Sequence, residues 1–390
     1  MNDAEKNKLI LIVVQPQSDL RQIRHALFSK GVDFVVYCCE RDGLTDLLGE
    51  VKQNNVVIFD ADTSDAKAAI KSVYGLPSVI NASAKAKADN YFSNSSCGIQ
   101  YNFDDYTLPQ GFATLKNCQD YKSFYGQTET GFVACLQNRK TDIESFFKVA
   151  VECGIVKEPQ KSFCFKIFGL SAAAAKEKIQ RFATKESKAY VCDDGYGDIA
   201  LFVLFDGASD VAVDNVLKSV YSLFADNLYA DFDATLQEVF VHLAKLGAFK
   251  ATCAESLTGG MIASMIVDVP DASKVFDCSF VTYSNDAKHT FIDVSQQNLE
   301  KYGAVSSQVA QEMSQGALKK SQADIAVAVT GIAGPSGATL KKPVGLVYIA
   351  VSTAAHTEVI RRVFNGDRTS VRKQTANTAL FLLIKNIKKI

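Results

Sequence analysis

Short apolar runs alternate with helix-patterned segments along the first part of this 390-residue chain. Leu9–Val14, Phe34–Cys39 and Val56–Phe59 are such runs, and Ser18–Lys30 and Leu44–Val51 between them have the helical spacing of apolar residues. A strand that is apolar at successive positions is buried on both faces, as in a parallel sheet covered by helices. The β-α-β-α-β order therefore predicts a three-layer α/β domain.

Local signals predict the bounds of the first helix of this N-terminal domain and the end of the domain. Ser18 is expected to cap that helix and Gly31 to end it. The stretch 82–127 is rich in Asn, Ser, Asp and Tyr and permits no assignment. A helix is predicted at Thr141–Cys153 and a linker at Lys157–Gln160, so the domain is predicted to span residues 1–158.

Two further domains are predicted after the linker. Residues 159–230 have the order β-α-β-β-α and predict a small α+β domain, and residues 231–390 predict a second α/β domain. The predicted strands are Ser162–Phe168, Ala189–Cys192, Ile199–Phe205, Lys250–Ala254, Phe276–Tyr283, Asp324–Thr330, Val344–Val351 and Glu358–Phe364. The predicted helices are Ala172–Phe182, Val211–Phe224, Thr235–Leu246, Thr258–Val267, Ser306–Lys320 and Thr369–Ile384.

Composition excludes several classes of protein. Hydrophobic residues make up 47% and charged residues 22%, which is typical of a globular chain, and no apolar run is long enough to span a bilayer. The polar N-terminus does not have the pattern of a signal peptide, so we expect a cytoplasmic protein. The ten cysteines contain no C-x-x-C pair, which argues against a zinc or redox site and favours buried, reduced thiols.

The charge is distributed unevenly, although the net charge is only −1. Residues 248–390 carry 16 basic and 11 acidic side chains, net +5, whereas residues 1–247 carry 26 and 32, net −6. The overall balance argues against a general nucleic-acid binder. The basic C-terminal part suits a small anionic ligand, and chance variation in surface charge is the alternative.

The segment Ala254–Gly260, AESLTGG, has the pattern of a strand that ends at a Ser before two glycines open a helix. Glycines allow a ligand close to the backbone, and free N–H groups at a helix start attract anions. Ser256 could therefore be a nucleophile beside N–H donors at Thr258, Gly259 and Gly260. The alternative is that Ser256 or Thr258 only caps the helix.

The segment Tyr283–Lys288, YSNDAK, follows a predicted strand. A serine hydroxyl needs a base, and Lys288 is a candidate because neither motif contains a His and because burial can lower the pKa of a lysine. Tyr283 could orient that Lys or relay its proton. The alternative is a surface Lys beside a packed Tyr.

The segment Thr330–Gly337, TGIAGPSG, follows the strongest predicted strand. Ligands of α/β sheets bind beyond the carboxyl ends of strands, so Thr330, Gly331 and Gly334 are candidates for binding phosphate or ribose. The segment is not a Walker loop, because no G-K-[ST] follows. The alternative is a long hairpin connection.

The segment Asn365–Arg368, NGDR, precedes the last predicted helix. An arginine at this position could bind a phosphate through two parallel hydrogen bonds, which makes Arg368 a candidate. The alternative is that the segment serves only to cap the helix through Asp367.

In this order, AESLTGG, FVTYSNDAK, GAVSSQVAQEM, AVAVTGIAGPSG, KPVGLVYIAV and NGDR resemble the C-terminal domain of the CinA family, the nicotinamide mononucleotide deamidases. The resemblance extends from Phe249 to the end of the chain. It implies hydrolysis of nicotinamide mononucleotide to nicotinic acid mononucleotide and ammonia. It also implies a homodimer, and we expect neither a cofactor nor a metal ion.

The same resemblance implies roles for individual residues. Ser256 would be the nucleophile, Lys288 its base and Tyr283 their partner, while Thr330 and Arg368 fall where the family contacts substrate. At the position of Leu257 the family usually has Cys, which implies a changed pocket wall with activity retained.

The order of the first two domains resembles full-length CinA proteins, whose N-terminal domain is similar to the molybdopterin-binding fold. The glycine-rich loops of that domain are replaced here by Gln15–Asp19, Asp60–Ser64 and Leu136–Arg139. Without those glycines the backbone cannot present N–H groups to a phosphate in the same way. We therefore predict a degenerate domain without pyrophosphatase activity.

Two other functions compete with the deamidase. One is a nucleotide-binding scaffold that retains the fold and lacks turnover, and the other is a competence or recombination accessory protein, as the family name suggests. The joint presence of Ser256, Tyr283 and Lys288 argues against the scaffold. The chain has no basic stripe with interleaved aromatic residues, so direct binding of nucleic acid is not expected.

Overall fold

The computed structural model describes residues 8–15, 18–93, 103–116, 118, 120–180 and 186–389. Its backbone divides into two compact units. The first comprises Met1–Ser162, Ala183–Cys192 and Phe202–Asp210, and the second comprises Phe163–Phe182, Asp193–Leu201 and Val211–Ile390. The division into three domains stays a prediction.

The N-terminal elements of the first unit form a sheet with helices on both faces. The strands are β1 (Leu9–Val13), β2 (Phe34–Cys38), β3 (Val56–Phe59), β4 (Ser78–Ile80), β5 (Thr107–Pro109), β6 (Phe112–Thr114), β7 (Phe124–Gln127) and β8 (Phe132–Leu136). The helices are α1 (Arg21–Ser29), α2 (Leu44–Val51), α3 (Thr63–Tyr74), α4 (Ala82–Ser93) and α5 (Lys140–Glu152). The strands β2, β1, β3 and β8 are adjacent in this order and parallel. Strand β7 pairs antiparallel with β8, and β6 pairs antiparallel with β7. Strands β4 and β5 form a separate antiparallel pair.

Strand β1 shows why this sheet is covered on both faces. Ile10 and Ile12 are buried in the core with α2 and α3, whereas Leu11 and Val13 are buried in a second core with α1 and α5. Successive side chains of a strand point to opposite faces, so a strand that is apolar throughout supports two cores. The predicted three-layer α/β arrangement is confirmed.

The start of α1 differs from the prediction. Ser18 does not cap this helix, which begins at Arg21 without a side-chain cap. The Ser18 hydroxyl instead donates to the carboxylate of Asp60 at 2.7 Å. Gly31 follows the helix with φ +67°, which agrees with its predicted role.

Two helices of the first unit were not predicted. Helix α3 is capped by Asp62, whose carboxylate accepts the N–H groups of Ser64 and Asp65. Helix α4 buries only Ala84 and Ala88, so its sequence lacks a wide apolar stripe. This weak pattern explains why the stretch 82–127 permitted no assignment.

The segment between the two α/β parts contains β9 (Lys161–Phe168), α6 (Ala172–Ile179), β10 (Ser187–Asp193), β11 (Asp198–Phe205), α7 (Asp210–Phe224) and β12 (Leu228–Ala230). Its strands form a sheet in the order β10-β11-β9-β12. The predicted order β-α-β-β-α is confirmed, and β12 is an additional strand. The predicted end of its first helix, 181–182, lies outside the described residues.

The C-terminal part of the second unit is a five-stranded sheet in the order β14-β13-β15-β16-β17, and β13 is parallel to both of its neighbours. The strands are β13 (Ala251–Glu255), β14 (Phe280–Val281), β15 (Ile325–Gly331), β16 (Leu346–Thr353) and β17 (Thr357–Val363). The helices are α8 (Leu236–Leu246), α9 (Met261–Val267), α10 (Asn285–Ile292), α11 (Gln296–Tyr302), α12 (Ser307–Ser321) and α13 (Arg368–Ile387). One core lies under α8, α9 and α13, and a second lies under α10 and α12. The second α/β part is therefore confirmed.

Two elements here are shorter than predicted. Strand β14 has two residues instead of the predicted Phe276–Tyr283. Helix α9 begins at Met261 rather than Thr258, because Gly259 and Gly260 have φ values of +61° and +93°. These left-handed conformations are readily adopted by glycine and end the regular helix on its N-terminal side.

Two predictions from composition can be compared with the described residues. Over that part of the chain, no helix is long and apolar enough to cross a membrane. The prediction that most cysteines are buried is wrong, because three of the nine described cysteines are buried, Cys118, Cys135 and Cys253. All nine are free thiols, and Cys97 lies outside the described residues.

Candidate active site

Three of the motifs meet at one edge of the C-terminal sheet. Glu255, the last residue of β13, pairs with Val281 of β14 on one side and with Val329 of β15 on the other. Because the three strands are parallel, the segments that follow them leave the sheet at the same edge. These segments contain Ser256, Lys288 and the loop that begins at Ile332, at the edge where α/β sheets bind their ligands.

The amine of Lys288 is hydrogen-bonded to the hydroxyl of Ser256, with 3.1 Å between Nζ and Oγ. Lys288 lies on α10 and is only 1% exposed, and Ser256 is 8% exposed. The amine also donates to the carbonyls of Thr282 at 2.7 Å and Tyr283 at 3.2 Å. The alternative of a surface Lys is therefore wrong.

Burial decides the protonation of this amine. Among the described residues, Lys288 forms no ion pair with a carboxylate, and all of its hydrogen-bond partners are neutral oxygens. Removal from water disfavours the ammonium form and lowers the pKa of Lys288 to about 8. A large fraction of the amine is then neutral at mildly alkaline pH and can accept a proton.

Ser256 does not cap the helix that follows it. Its N–H donates to the carbonyl of Val329 at 3.1 Å, and its hydroxyl is bonded to Lys288. The N-cap position of α9 is Gly260, which has no side chain to offer. The capping alternative for Ser256 is therefore wrong, and its hydroxyl is hydrogen-bonded to a buried amine.

Glu255 takes the place of a cap. Its buried carboxylate accepts the N–H groups of Gly260, Ile262 and Ala263 at 3.0, 3.1 and 2.9 Å. These are the N–H groups that helix starts usually leave unpaired. The expectation that the N–H of Gly260 is available to a ligand is wrong, because Glu255 occupies it. Sequence reasoning missed Glu255, and its only signal was an acidic residue just before a helix start.

Two other N–H groups of the loop are unpaired among the described residues. The N–H groups of Leu257 and Thr258 donate a hydrogen bond to none of the described residues. The N–H of Gly259 donates to the Ser256 carbonyl at 3.2 Å, which closes the turn. The hydroxyl of Thr258 is buried and lacks a partner within the same part of the chain. The candidate donors are therefore Leu257 and Thr258 rather than Gly259 and Gly260.

Tyr283 and Arg368 form a pair at the rim of the site. The Tyr283 side chain is 63% exposed, and its hydroxyl accepts from Nη2 of Arg368 at 3.3 Å. Arg368 also donates to the carbonyl of Gly334 at 3.0 Å. The structure therefore joins Tyr283 to Lys288 through its backbone carbonyl and to Arg368 through its hydroxyl. Asp367 caps α13 as well, since it accepts the N–H of Ser370 at 2.7 Å.

The last residues of β15 and the loop that follows make structural contacts, so their residue types do not depend on a ligand alone. Thr330 is buried, and its hydroxyl donates to the carbonyl of Ala304 at 2.8 Å. A Cβ atom on Gly331 would lie 2.6 Å from the carbonyl oxygen of Leu346 in the neighbouring strand. Gly334 has φ +83° and presents its carbonyl to Arg368. These contacts connect the third and fourth motifs.

No group of three or more His, Cys, Asp or Glu side chains suited to a metal ion occurs in the described part of the chain. The polar side chains of the Ser256 loop and its contacts are instead the Lys288 amine, the hydroxyls of Ser256 and Thr258, the single carboxylate of Glu255 and the guanidinium of Arg372. The site thus combines a buried serine hydroxyl, a lysine amine bonded to it and unpaired backbone N–H groups of the same loop, which are the groups that acyl transfer through a serine would require.

Comparison with known proteins identifies the family. A family model described as the CinA C-terminal domain matches residues 233–387. A competence-damage inducible protein of Caldicellulosiruptor saccharolyticus is 31% identical over 389 residues, 95% of each chain. A CinA-like protein of Thermotoga neapolitana is 43% identical over 177 residues, 45% of this chain and 43% of that one. The chain belongs to the CinA, or competence-damage inducible protein, family.

Solved structures of CinA superfamily proteins also match part of the chain. One from Klebsiella pneumoniae is 32% identical and covers 40% of this chain and 97% of its own, with a TM-score of 0.39. One from Agrobacterium tumefaciens, described as competence/damage inducible, is 38% identical. The match covers 40% of this chain and 98% of that one, with a TM-score of 0.37.

Proposed function

We propose that this chain hydrolyses the amide of nicotinamide mononucleotide to give nicotinic acid mononucleotide and ammonia. The observation that carries the proposal is the buried Lys288 amine, 3.1 Å from the Ser256 hydroxyl and without an ion-pair partner among the described residues. A buried lysine whose contacts are a serine hydroxyl and carbonyl oxygens suits the transfer of a proton. The specific substrate follows from the family resemblance of the motifs.

The proposed reaction uses these groups in two halves. Neutral Lys288 takes the hydroxyl proton as Oγ of Ser256 bonds to the amide carbon, and the carbonyl oxygen becomes an oxyanion. Lys288 then gives that proton to the amide nitrogen, the C–N bond breaks, and ammonia leaves an acyl-serine. A water molecule, deprotonated by Lys288, attacks this ester and releases the carboxylate, and the proton returns to Oγ.

The N–H groups of Leu257 and Thr258 supply donors for the oxyanion, because they lie next to the nucleophile and are otherwise unpaired within the described residues. Arg368, which retains further donors, is proposed to bind the phosphate of the substrate. Thr330, Gly331 and Gly334 are proposed to contact the ribose and phosphate, and Tyr283 to hold Arg368 in place.

A substrate panel tests this assignment. We expect full-length protein to convert nicotinamide mononucleotide to nicotinic acid mononucleotide, identified by chromatography, and to act far less on nicotinamide riboside, which lacks the phosphate. Activity should survive excess EDTA, because no step uses a metal ion. A folded protein that converts none of these amides would favour the scaffold function instead.

The first unit is proposed to lack pyrophosphatase activity. At the carboxyl ends of its parallel strands the polar groups bind one another. Ser18 bonds to Asp60, and Arg139 pairs with Asp120 and Asp142. Steady hydrolysis of ADP-ribose by the full-length Ser256→Ala variant would contradict this proposal. A homodimer is also proposed from the resemblance, and sedimentation equilibrium tests it.

A further inference from the structure

Arg372, one turn after Arg368 on α13, contacts the loop that carries Ser256. Its Nε donates to the carbonyl of Leu257 at 3.0 Å, and its Nη2 donates to the carbonyl of Thr258 at 2.6 Å. We propose that Arg372 is a positioning residue, which orients the Leu257–Thr258 peptide so that the N–H of Thr258 receives the oxyanion of the reaction. This inference rests on the proposed serine chemistry.

Peptide geometry connects the arginine to the donor. In a planar trans peptide the C=O and the following N–H point in opposite directions. Because Arg372 holds the Leu257 carbonyl, the N–H of Thr258 points away from the guanidinium. That N–H has no hydrogen-bond partner among the described residues, so its capacity to donate to an acceptor on the opposite side is unused.

The next peptide is held by the same side chain. Nη2 of Arg372 fixes the Thr258 carbonyl, so the N–H of Gly259 points the other way, where it donates to the Ser256 carbonyl at 3.2 Å. A guanidinium can fix both planes, because its donors form a rigid fork. An ammonium group is a single point of charge and lacks that planar geometry.

Glu255 holds the other end of the loop through three N–H groups of Gly260, Ile262 and Ala263. The loop after Glu255 is therefore held by a carboxylate at the N–H groups of its C-terminal end and by a guanidinium at the carbonyls of Leu257 and Thr258. Neither charged group is hydrogen-bonded to the Ser256 hydroxyl, whose bond is to Lys288. Both act on the reaction through the loop backbone.

The experiment compares Arg372→Ala and Arg372→Lys with wild type in the full-length chain. The matched control is Lys373→Ala, which removes a neighbouring charge whose ammonium lies 4.7 Å from the Tyr196 ring. We expect kcat on nicotinamide mononucleotide to fall by about 10²-fold in Arg372→Ala, with KM within about threefold, as for loss of an oxyanion donor. Added methylguanidinium should restore part of kcat in Arg372→Ala and should not affect the control.

A second readout does not depend on the substrate. A fluorophosphonate probe bonds to the nucleophilic serine, and its labelling rate is measured by intact mass. We expect Arg372→Ala to label at Ser256 at least about tenfold more slowly than wild type. If wild type leaves nicotinamide mononucleotide unchanged and the labelling still depends on Arg372, the proposed substrate is wrong and the role of Arg372 stands.

Other results would overturn the role of Arg372. Equal labelling rates in wild type and Arg372→Ala would contradict a role in positioning the loop. A rise in KM with unchanged kcat would also contradict it, because it would place Arg372 in substrate binding. Melting curves of all variants show whether they are folded, and Arg372→Lys serves as the second variant if Arg372→Ala is unfolded.

Discussion

Nζ of Lys288 lies 3.1 Å from Oγ of Ser256, although the two residues are 32 positions apart in the chain. They meet because β13 and β14 are parallel neighbours that end at the same edge of the sheet. The other partners of the amine are the carbonyls of Thr282 and Tyr283. The neutral amine can therefore accept a proton from Ser256.

The first prediction concerns the pH dependence of activity. Since the pKa of Lys288 is lowered to about 8, kcat/KM should rise about tenfold per pH unit below that value and level off above it. Protonation removes the base, so activity is lost as the pH falls. Lys288→Arg should be inactive across the range, whereas Lys301→Arg, at an exposed position, should follow wild type. A profile that is flat between pH 6 and 9 would contradict the role of Lys288.

The same shift predicts how stability changes with pH. The folded-state pKa of about 8 lies below the ordinary lysine value of 10.5, so the unfolded chain binds more protons between these values. Stability therefore rises with pH in this window. Relative to Lys288→Met, the free energy of unfolding of wild type should increase by about 2–3 kcal/mol from pH 7 to pH 10.5. Urea denaturation at both pH values measures the free energy of unfolding of each protein. If the difference between wild type and Lys288→Met is the same at both pH values, the pKa of Lys288 is not lowered.

The hydroxyl of Tyr283 is predicted to act through Arg368. Because it accepts from Arg368 and is not hydrogen-bonded to Lys288, Tyr283→Phe should raise KM severalfold and leave kcat within about fivefold of wild type. Steady-state kinetics separate the two parameters. A loss of kcat of about 10²-fold or more with little change in KM would instead support a proton relay.

Glu255 is predicted to stabilise the loop and helix α9. Replacement by Ala leaves three backbone N–H groups without their carboxylate in a buried region, so Glu255→Ala should lower the free energy of unfolding by about 2–4 kcal/mol. Exposed Glu300 provides the control, and Glu300→Ala should change stability by less than about 0.5 kcal/mol. Equal denaturation midpoints for the two variants would refute this role.

Sequence patterns predicted the sheets well where strands are buried on both faces. The apolar runs at β1, β3 and β15 gave the correct strands because burial on two faces leaves a continuous apolar signal. Strand β14 has two residues and makes few backbone pairs, so its bounds were overestimated. Helix α4 has too narrow an apolar face to be detected.

The candidate site was predictable to the extent that sheet topology determines it. Parallel strands place Ser256 and Lys288 at one edge, but Glu255 and Arg372 could not be recognised. Glu255 is buried inside an apolar strand end, and its role depends on the direction of its side chain towards α9. Arg372 contacts residues more than a hundred positions away in the chain, and no local pattern records such a contact.

The most direct test of the account is ammonia release from nicotinamide mononucleotide at pH 8.5 by wild type, Ser256→Ala and the control Ser264→Ala. Ser264 is an exposed serine of α9. The account predicts steady release by wild type and Ser264→Ala, and loss of about 10³-fold or more in Ser256→Ala, because the acyl-enzyme cannot form. Comparable release by Ser256→Ala and wild type would contradict it.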